Sequence, residues 1–506
     1  MENRESAEKA VRAGLERTIV VLLCCVGAAR VFVFCAAFPF FNHVDETEHF
    51  DLVYKYSVGD LPRVELERFS PRAAELIILY RSPEYLSKPS RFGSDGFPPP
   101  FWTRENATQS EHFTTEVSRR VRRINHETAS PPVYYAVAGS WCALGSAMGV
   151  DGGQLLYWIR FLNAITFAAL VWTSYAMAKM LLPTRALERV GLTTMVAFFP
   201  QVVFYSINND TLSPLLFAIA LLMMLRIHFE SRSLVYHIVA GLMVAATFLT
   251  KLSNVAILPV LIAVVLLGAR EKAGPGAVAR AKASRLYALC AAALLPIACW
   301  MLRNFVLFGS WTATAGKIRN LGWTAKSFGD LWDHPLFSLQ GVFLFLGELT
   351  IRFWHGAVLW QLEYVTWLPL ELFFLGSTAL FIGIACVGLI GDRSGTETRH
   401  QFALSISLFS MLISVLFLAA MSLRFDFGES RYPSREFPFF ASGRLILGVL
   451  VPFLFVYFDG LARCLRKLHY AAPLIAVVTI AFVVTASEIW LLADVFRSNH
   501  NWYHLE

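Results

Sequence analysis

Residues 18–38, TIVVLLCCVGAARVFVFCAAF, form an apolar run whose one charged residue is Arg30, and four positions later residues 42–50 read NHVDETEHF. A run of about 20 apolar residues is long enough for a helix to cross the hydrocarbon core of a bilayer. It exceeds the apolar region of a secretory signal and ends without a small-x-small cleavage site, so it is expected to remain in the mature chain. The rest of the sequence repeats the pattern, with comparable runs recurring as far as Leu492. Across 506 residues, 56% are apolar and 16% charged, with a mean hydropathy of +0.52. A soluble chain carries about 25% charged residues, so an ordinary soluble enzyme is excluded, and so is a single anchor holding a large soluble domain.

The 44 Lys and Arg against 37 Asp and Glu give a formal charge of +7. The basic residues sit in short loops between apolar spans, a pattern that speaks of membrane topology and not of a nucleic-acid groove. The eight cysteines lie in or beside apolar runs without a Cys-x-x-Cys pair or a His at metal-ligand spacing. They read as small packing residues.

The fold class expected is therefore all-α: a polytopic membrane protein of about eleven transmembrane helices. Its spans are 18–38, 155–179, 188–206, 211–228, 234–250, 253–269, 285–306, 366–390, 402–423, 441–461 and 470–493. The stretches 132–148 and 335–360 are interrupted by polar residues and Gly and read as juxtamembrane or re-entrant helices. Placing the basic loops on the cytoplasmic side closes the register only if these two do not fully cross. Residues 1–17 are then cytoplasmic. Residues 18–493 form one membrane domain with an extracytoplasmic first loop, 39–154, and 494–506 form an extracytoplasmic tail.

The outer side collects the residues that could do chemistry. After the first span, Asp45 and His49 lie one helical turn apart, and Glu46, His49, Phe50, Val53 and Tyr54 share a stripe. The stripe predicts an amphipathic helix on the outer membrane surface. Asp45 could equally be a plain helix cap answered by Glu48, but polar groups beside a bilayer are costly and tend to mark sites. A second box, His126-Glu127-Thr128-Ala129-Ser130-Pro131-Pro132-Val133-Tyr134-Tyr135, ends in a tandem proline that sets an extended approach to the next helix. A third, Ser206-Ile207-Asn208-Asn209-Asp210, closes an outer span end, where Asp210 could also cap a helix dipole. Cations complete the set: Lys251, Arg303, Arg352, Arg431, Arg435 and Arg444, joined by His355. For each, snorkelling or a helix-end ion pair is the plain structural alternative. Cations facing carboxylates across one outer cavity suit an anionic leaving group and a hydroxyl nucleophile.

The order of these pieces resembles the GT-C superfamily of membrane glycosyltransferases. They comprise an Asp-Glu box after the first span, a Pro-Pro-x-Tyr-Tyr box closing the first loop, Arg160-x-x-Asn163 within the next span and an Asn-Asn-Asp turn two spans later. Within that superfamily the chain is most similar to a bacterial multi-pass family with a Pro-Asp-Glu-x-x-His-Phe box, matched by 44–50 except that Val44 replaces the proline. Thr250-Lys251-Leu252-Ser253, Trp300-Met301-Leu302-Arg303-Asn304 and Ser442-Gly443-Arg444 are further pieces. Leu445 stands where relatives carry an aromatic residue, and the Pro-Pro box lacks a preceding His found in some of them.

The resemblance implies a glycosyltransferase of the cell membrane with its catalytic face outside. Its donor would be a polyprenyl-phosphate-linked sugar, its acceptor an extracytoplasmic glycan, lipid or protein, and the anomeric carbon would invert. Asp45 is the expected base, with Glu46 and His49 orienting it. Substrate contacts are expected from His126, Glu127, Tyr134, Arg160, Asn209, Asp210, Lys251, Arg303, Arg431 and Arg444. No cofactor is required by these residues; a divalent metal, Mg or Mn, would sit on Asp45 and Asp210. Membrane lipids are the remaining partner, and no nucleic acid is expected. Two other readings stand beside this one. A transporter or flippase of a lipid-linked sugar would want paired broken helices and ionisable groups near the midplane, and a non-catalytic scaffold would tolerate loss of Asp45. The identity of sugar and acceptor is not encoded in apolar patterning.

Overall fold

The structure, a computed structural model, describes the chain apart from residues 1, 42–44, 94–95, 231, 271–276, 392–398, 431 and 506, and describes no side chains for 2–12, 268–270 and 277–279. The chain is built of helices. Among the described residues, strand pairing is limited to three antiparallel stitches of two residues each, 67–68 with 124–125, 324–325 with 425–426 and 359–360 with 363–364, and one isolated parallel bridge between Phe40 and Arg81.

The long helix α1, Glu2–Ala37, leads into a cap made by the first loop. The cap contains α2 (Glu46–Ser57), α3 (Pro71–Tyr80), α4 (Glu111–Val121) and α5 (Pro132–Ala147). Ser70 and Ser110 start α3 and α4 by accepting a hydrogen bond from the third residue on, and Pro132 opens α5 at its first position, as the sequence leads one to expect. The helix beginning at Glu46 is present, but it is not an open surface helix. Glu46, His49, Phe50, Asp51, Leu52, Val53 and Lys55 are all buried, and α2 packs against α3 and α5. The stripe faces protein because the cap folds over it.

The bundle follows with α6 (Gly152–Leu181), α7 (Ala186–Ala197), α8 (Ser213–Phe229), α9 (Leu234–Phe248), α10 (Ile257–Arg270) and α11 (Ala277–Phe308). The short α12 (Ala315–Asn320) and α13 (Leu339–Trp354) lie in the next connection. The bundle closes with α14 (Leu368–Gly391), α15 (Arg399–Arg424), α16 (Leu450–Leu465), α17 (Ala472–Leu491) and α18 (Ala493–Phe496). Among the described residues, eight helices are long and apolar enough to cross a membrane, and 234–248 and 252–267 are shorter apolar helices. Their outer faces leave large apolar side chains uncovered, including Val387 at 71% and Phe482 at 74% exposure. Such a surface belongs in lipid.

The expected span 188–206 is corrected. Its helix, α7, stops at Ala197 after 12 residues, about 18 Å of rise. Beyond it, Pro200 cannot continue the helix, and the chain runs on as irregular backbone and two 3-10 turns, Val202–Tyr205 and Asn209–Thr211. Irregular backbone survives at membrane depth only where protein satisfies its polar groups, and residues 199–215 are all buried. Arg30 donates to the Phe199 carbonyl at 3.2 Å, and Asn163 Nδ2 donates to the Phe204 and Ser206 carbonyls at 3.0 and 2.8 Å. Gln201 Nε2 in turn donates to the carbonyls of Arg352 and Phe353, at 3.0 and 2.8 Å, tying this segment to the end of α13. Two more segments enter the bundle as 3-10 turns, Leu252–Ala256 before α10 and Gly443–Val449 before α16. Gly443–Val449 packs against both the turn at Asn209–Thr211 and Leu252–Ala256, so three non-helical segments converge beneath the cap.

Candidate active site

Asp45 precedes α2 in the left-handed conformation, φ 67°, and its side chain makes no capping bond. The plain reading of Asp45 as a helix cap is thereby excluded. The backbone turn directs the carboxylate across the cap: Oδ1 lies 3.1 Å from His126 Nε2, and Oδ2 accepts from Arg444 Nη2 at 2.9 Å. Burial alone pushes the Asp45 carboxyl up, but the His126 hydrogen bond and the Arg444 charge outweigh it and hold the group well below the usual carboxylate range. His126 moves the opposite way. Burial opposes its charge, yet the bond to Asp45 raises it above an ordinary imidazole.

Glu127 stands 3.7 Å from His126 Nε2 and is ion-paired with Lys317 on α12, while Ser130 donates to its other oxygen. Although burial disfavours its charge, the Lys317 ammonium beside it holds the Glu127 carboxyl below the usual carboxylate range. Asn125 fixes this loop. Fully buried, it donates to Asp51 Oδ2 at 2.8 Å and to the Glu48 carbonyl at 2.9 Å, and its Oδ1 accepts from the Glu127 N–H at 2.9 Å. The short helix carrying Lys317 is itself clasped by Glu65, which accepts from the Gly316 N–H at 2.6 Å.

On the other side of Arg444, its Nη1 lies 3.5 Å from Asp210 Oδ2, and Lys251 pairs with the other oxygen of Asp210. Asp210 is wholly buried in its 3-10 turn, where its N–H donates to Asn208 Oδ1 at 2.9 Å. Arg444 reaches both carboxylates because the backbone before it comes hard against α13. A Cβ on Gly443 would collide with the backbone of Arg352 and Phe353. An unbroken chain of charges thus runs Lys251, Asp210, Arg444, Asp45, His126, Glu127, Lys317, joining three bundle segments to the cap. Beside Asp210, Asn208 Nδ2 and Asn209 Oδ1 are buried without a hydrogen-bond partner among the described residues, and each such group costs about 1–3 kcal/mol until something pairs with it.

Several expected site residues lie elsewhere. Glu46 and Arg160 are fully buried and form a bidentate pair at 2.8 Å. Arg160 also donates to the carbonyls of Cys35, Phe38 and Pro39, and Glu46 accepts the N–H groups of Phe41 and Ile207, both at 2.9 Å. With every group engaged, this pair staples the end of α1 to α6 and cannot reach a substrate. The expectation that Glu46 orients Asp45 and that Arg160 binds substrate is corrected accordingly. His49 is buried with Nδ1 2.7 Å from the Tyr135 hydroxyl, and burial pulls it down to about 4. Tyr134 is buried edge-on against Tyr135 at 5.3 Å. Arg303 is exposed and donates to the Pro62 carbonyl and to Asn304, outside the charge chain. Arg431 lies outside the described residues.

Asp45, His126 and Glu127 each offer a ligand atom, all within 4.8 Å of one another. Asp210 is paired with both Lys251 and Arg444. Lys317, Asn125 and Ser130 were missed as parts of the site by the sequence reading.

A family profile described as "Predicted membrane protein (DUF2142)" matches residues 30–431. The chain belongs to this family. The matched stretch contains every member of the charge chain except Arg444. No curated protein matches the chain. Among solved structures it is similar to the oligosaccharyltransferase of Archaeoglobus fulgidus in complex with zinc and sulfate, at 12% identity and TM-score 0.43, over 95% of this chain and 53% of that one. It is similar to AglB of the same organism in complex with an inhibitory peptide and a dolichol-phosphate, at 11% identity and TM-score 0.44, over 97% and 56%. ArnT from Cupriavidus metallidurans in the apo state gives 12% identity and TM-score 0.41, over 96% and 74%. The chain thus spans about half the length of the two oligosaccharyltransferase chains.

Proposed function

We propose that this protein is a membrane glycosyltransferase that moves a sugar from a polyprenyl-phosphate-linked donor to a hydroxyl acceptor, with inversion at the anomeric carbon. The observation that carries the reading is Arg444 bridging Asp45 and Asp210, which sets a carboxylate next to a cation that a phosphate would claim. The ordered sequence motifs support the same reading. In the orientation set by the basic loops, the amino terminus is cytoplasmic and the cap lies on the outer side.

Asp45 is the base in this scheme. While it is paired with Arg444 and His126 it binds protons poorly, and the donor phosphate changes that by drawing Arg444 and Lys251 to itself. Asp45 then accepts the proton of the acceptor hydroxyl, the hydroxyl oxygen bonds to the anomeric carbon, and the bond from that carbon to phosphate breaks. The phosphate leaves as an anion held by Arg444 and Lys251. Asn208 and Asn209, with their unpaired polar atoms, are placed for sugar hydroxyls. The donor set of Asp45, His126 and Glu127 fits a divalent cation, which when bound would supply charge neutralisation for the departing phosphate.

The test is turnover. Purified protein is incubated with radiolabelled polyprenyl-phosphate sugars and membrane extract as acceptor, and Asp45→Asn is compared with the parent. Transfer by the parent and its loss in Asp45→Asn, with folding intact, is expected. Equal transfer by both overturns the role of Asp45, and a parent inactive across a broad donor panel overturns the transferase reading.

A further inference from the structure

At the end of the bundle away from the cap, a cleft of about 560 Å³ opens between α1, α6, α8 and the start of α15. Its depth in the membrane follows from helix geometry. Arg17, on its rim, lies 21 residues before Phe38 in the chain, which at ~1.5 Å per residue is about 32 Å. A hydrocarbon core is about 30 Å thick, so the cleft sits one membrane thickness from the Asp45–Arg444 cluster, at the level of the opposite headgroups.

Five cations line it: Arg17, Lys179, Arg226, Arg232 and Arg399. The one carboxylate in the lining, Glu230, is taken by Arg232 and approached by Arg399 at 3.9 Å. The nearby Glu16 is taken by Arg189 at 2.5 Å. Among the described residues, Arg17, Lys179 and Arg226 have no carboxylate within ion-pair distance. Basic residues that merely record topology would be spread around the rim, and two others on this face are paired: Arg463 with Asp459 at 2.7 Å and Arg466 with Glu188 at 2.8 Å. Here unpaired like charges from three helices converge on one concavity, where the field is focused and an anion is favoured. The wall between them is apolar, formed by Trp172, Ala176 and Met180, and Trp172 is 42% exposed. A cationic recess with an apolar, aromatic wall at headgroup depth matches a molecule carrying phosphate at one end and hydrocarbon at the other.

We propose that this cleft binds the phosphate headgroup of an anionic phospholipid in the leaflet opposite the Asp45–Arg444 cluster. The site is independent of the transferase reading, because none of its residues belongs to that cluster.

The test titrates phosphatidylglycerol into detergent-purified protein and counts bound lipid by native mass spectrometry. Lys179→Gln/Arg226→Gln is compared with the parent, and Lys467→Gln, on the same face outside the cleft, is the control. Among the described residues both cations of the double variant lack ion-pair partners, so folding is expected to survive; Arg17→Gln is the second variant. Each cation near a membrane surface contributes about fivefold. The double variant should therefore bind roughly 25-fold more weakly and Arg17→Gln about fivefold, with Lys467→Gln unchanged. Equal affinity in parent and cleft variants overturns the site, as does an equal loss in Lys467→Gln. Competition arms separate the sources: phosphatidylcholine, inorganic phosphate and glycerol phosphate are expected to compete poorly. Displacement by inorganic phosphate at equal concentration would make this a free-anion site, and equal binding of phosphatidylcholine a general lipid groove, and either outcome overturns the proposal.

Discussion

Asp45 and Glu46 are neighbours in sequence with opposite work to do, and substituting them separately exposes the difference. Glu46 is wholly buried, as is its partner Arg160. Glu46→Ala leaves a guanidinium buried without its anion, which costs about 3–5 kcal/mol. It also strips the Phe41 and Ile207 N–H groups of their acceptor, at about 1–3 kcal/mol each if nothing replaces it. The expected loss is about 5 kcal/mol or more, a large fraction of the ~5–15 kcal/mol that holds a typical domain folded. Asp45 is 22% exposed and Arg444 keeps Asp210 when Asp45 is neutralised. Asp45→Asn, which keeps one acceptor oxygen, should therefore destabilise clearly less than Glu46→Ala while abolishing transfer. The assay is graded SDS unfolding in mixed micelles followed by circular dichroism, with Glu46→Gln, which keeps one acceptor oxygen, as an intermediate that should still fold. If Glu46→Ala unfolds within about 1 kcal/mol of the parent, or if Asp45→Asn is as destabilising as Glu46→Ala, the division of labour drawn here is wrong.

Three further outcomes are expected. Gly443→Ala drives a methyl group into the α13 backbone; overpacking of this kind costs about 1–3 kcal/mol and displaces Arg444, so a lowered melting temperature should accompany lost transfer, and full activity would contradict the assigned packing. Burial keeps His49 neutral down to about 4, against the pull of the Glu127 and Asp45 carboxylates, whereas the unfolded chain takes up that proton near 6.5; the stability this site contributes is therefore full above about 6.5 and lost as pH falls toward 4. The parent's melting temperature should decline more over that window than that of His49→Gln, and parallel curves would refute it. In manganese titrations followed by electron paramagnetic resonance, His126→Ala should weaken binding, Lys317→Ala should tighten it by freeing Glu127, and Asp210→Asn should change little; a loss confined to Asp210→Asn would restore the pairing first expected from the sequence.

What could be read from the chain follows the physics each signal reports. Hydropathy finds segments that leave water, and the eight long crossing helices fall within or around eight of the eleven expected spans. It cannot tell a helix in lipid from irregular backbone enclosed by protein, since both are apolar, and so residues 188–206 read as a span. Pro200 and the polar run at 206–210 carried the contrary signal. Spacing arguments fared likewise. Arg160 and Asn163 share a face of α6, as i and i+3 require, but both spend that face on backbone carbonyls of neighbouring segments, which no single sequence displays. Asp45 and Glu46 differ because the left-handed turn at Asp45 sends adjacent carboxylates to different partners. Lys317 was illegible for a simpler reason. It rides on a six-residue helix in a long polar connection, where local pattern is weakest, and only the fold brings it 190 residues back to Glu127. The same reasoning says where the chemistry should be sought: the charges that resist interpretation as caps, staples or loop signals are those that the three unwound segments gather around Arg444.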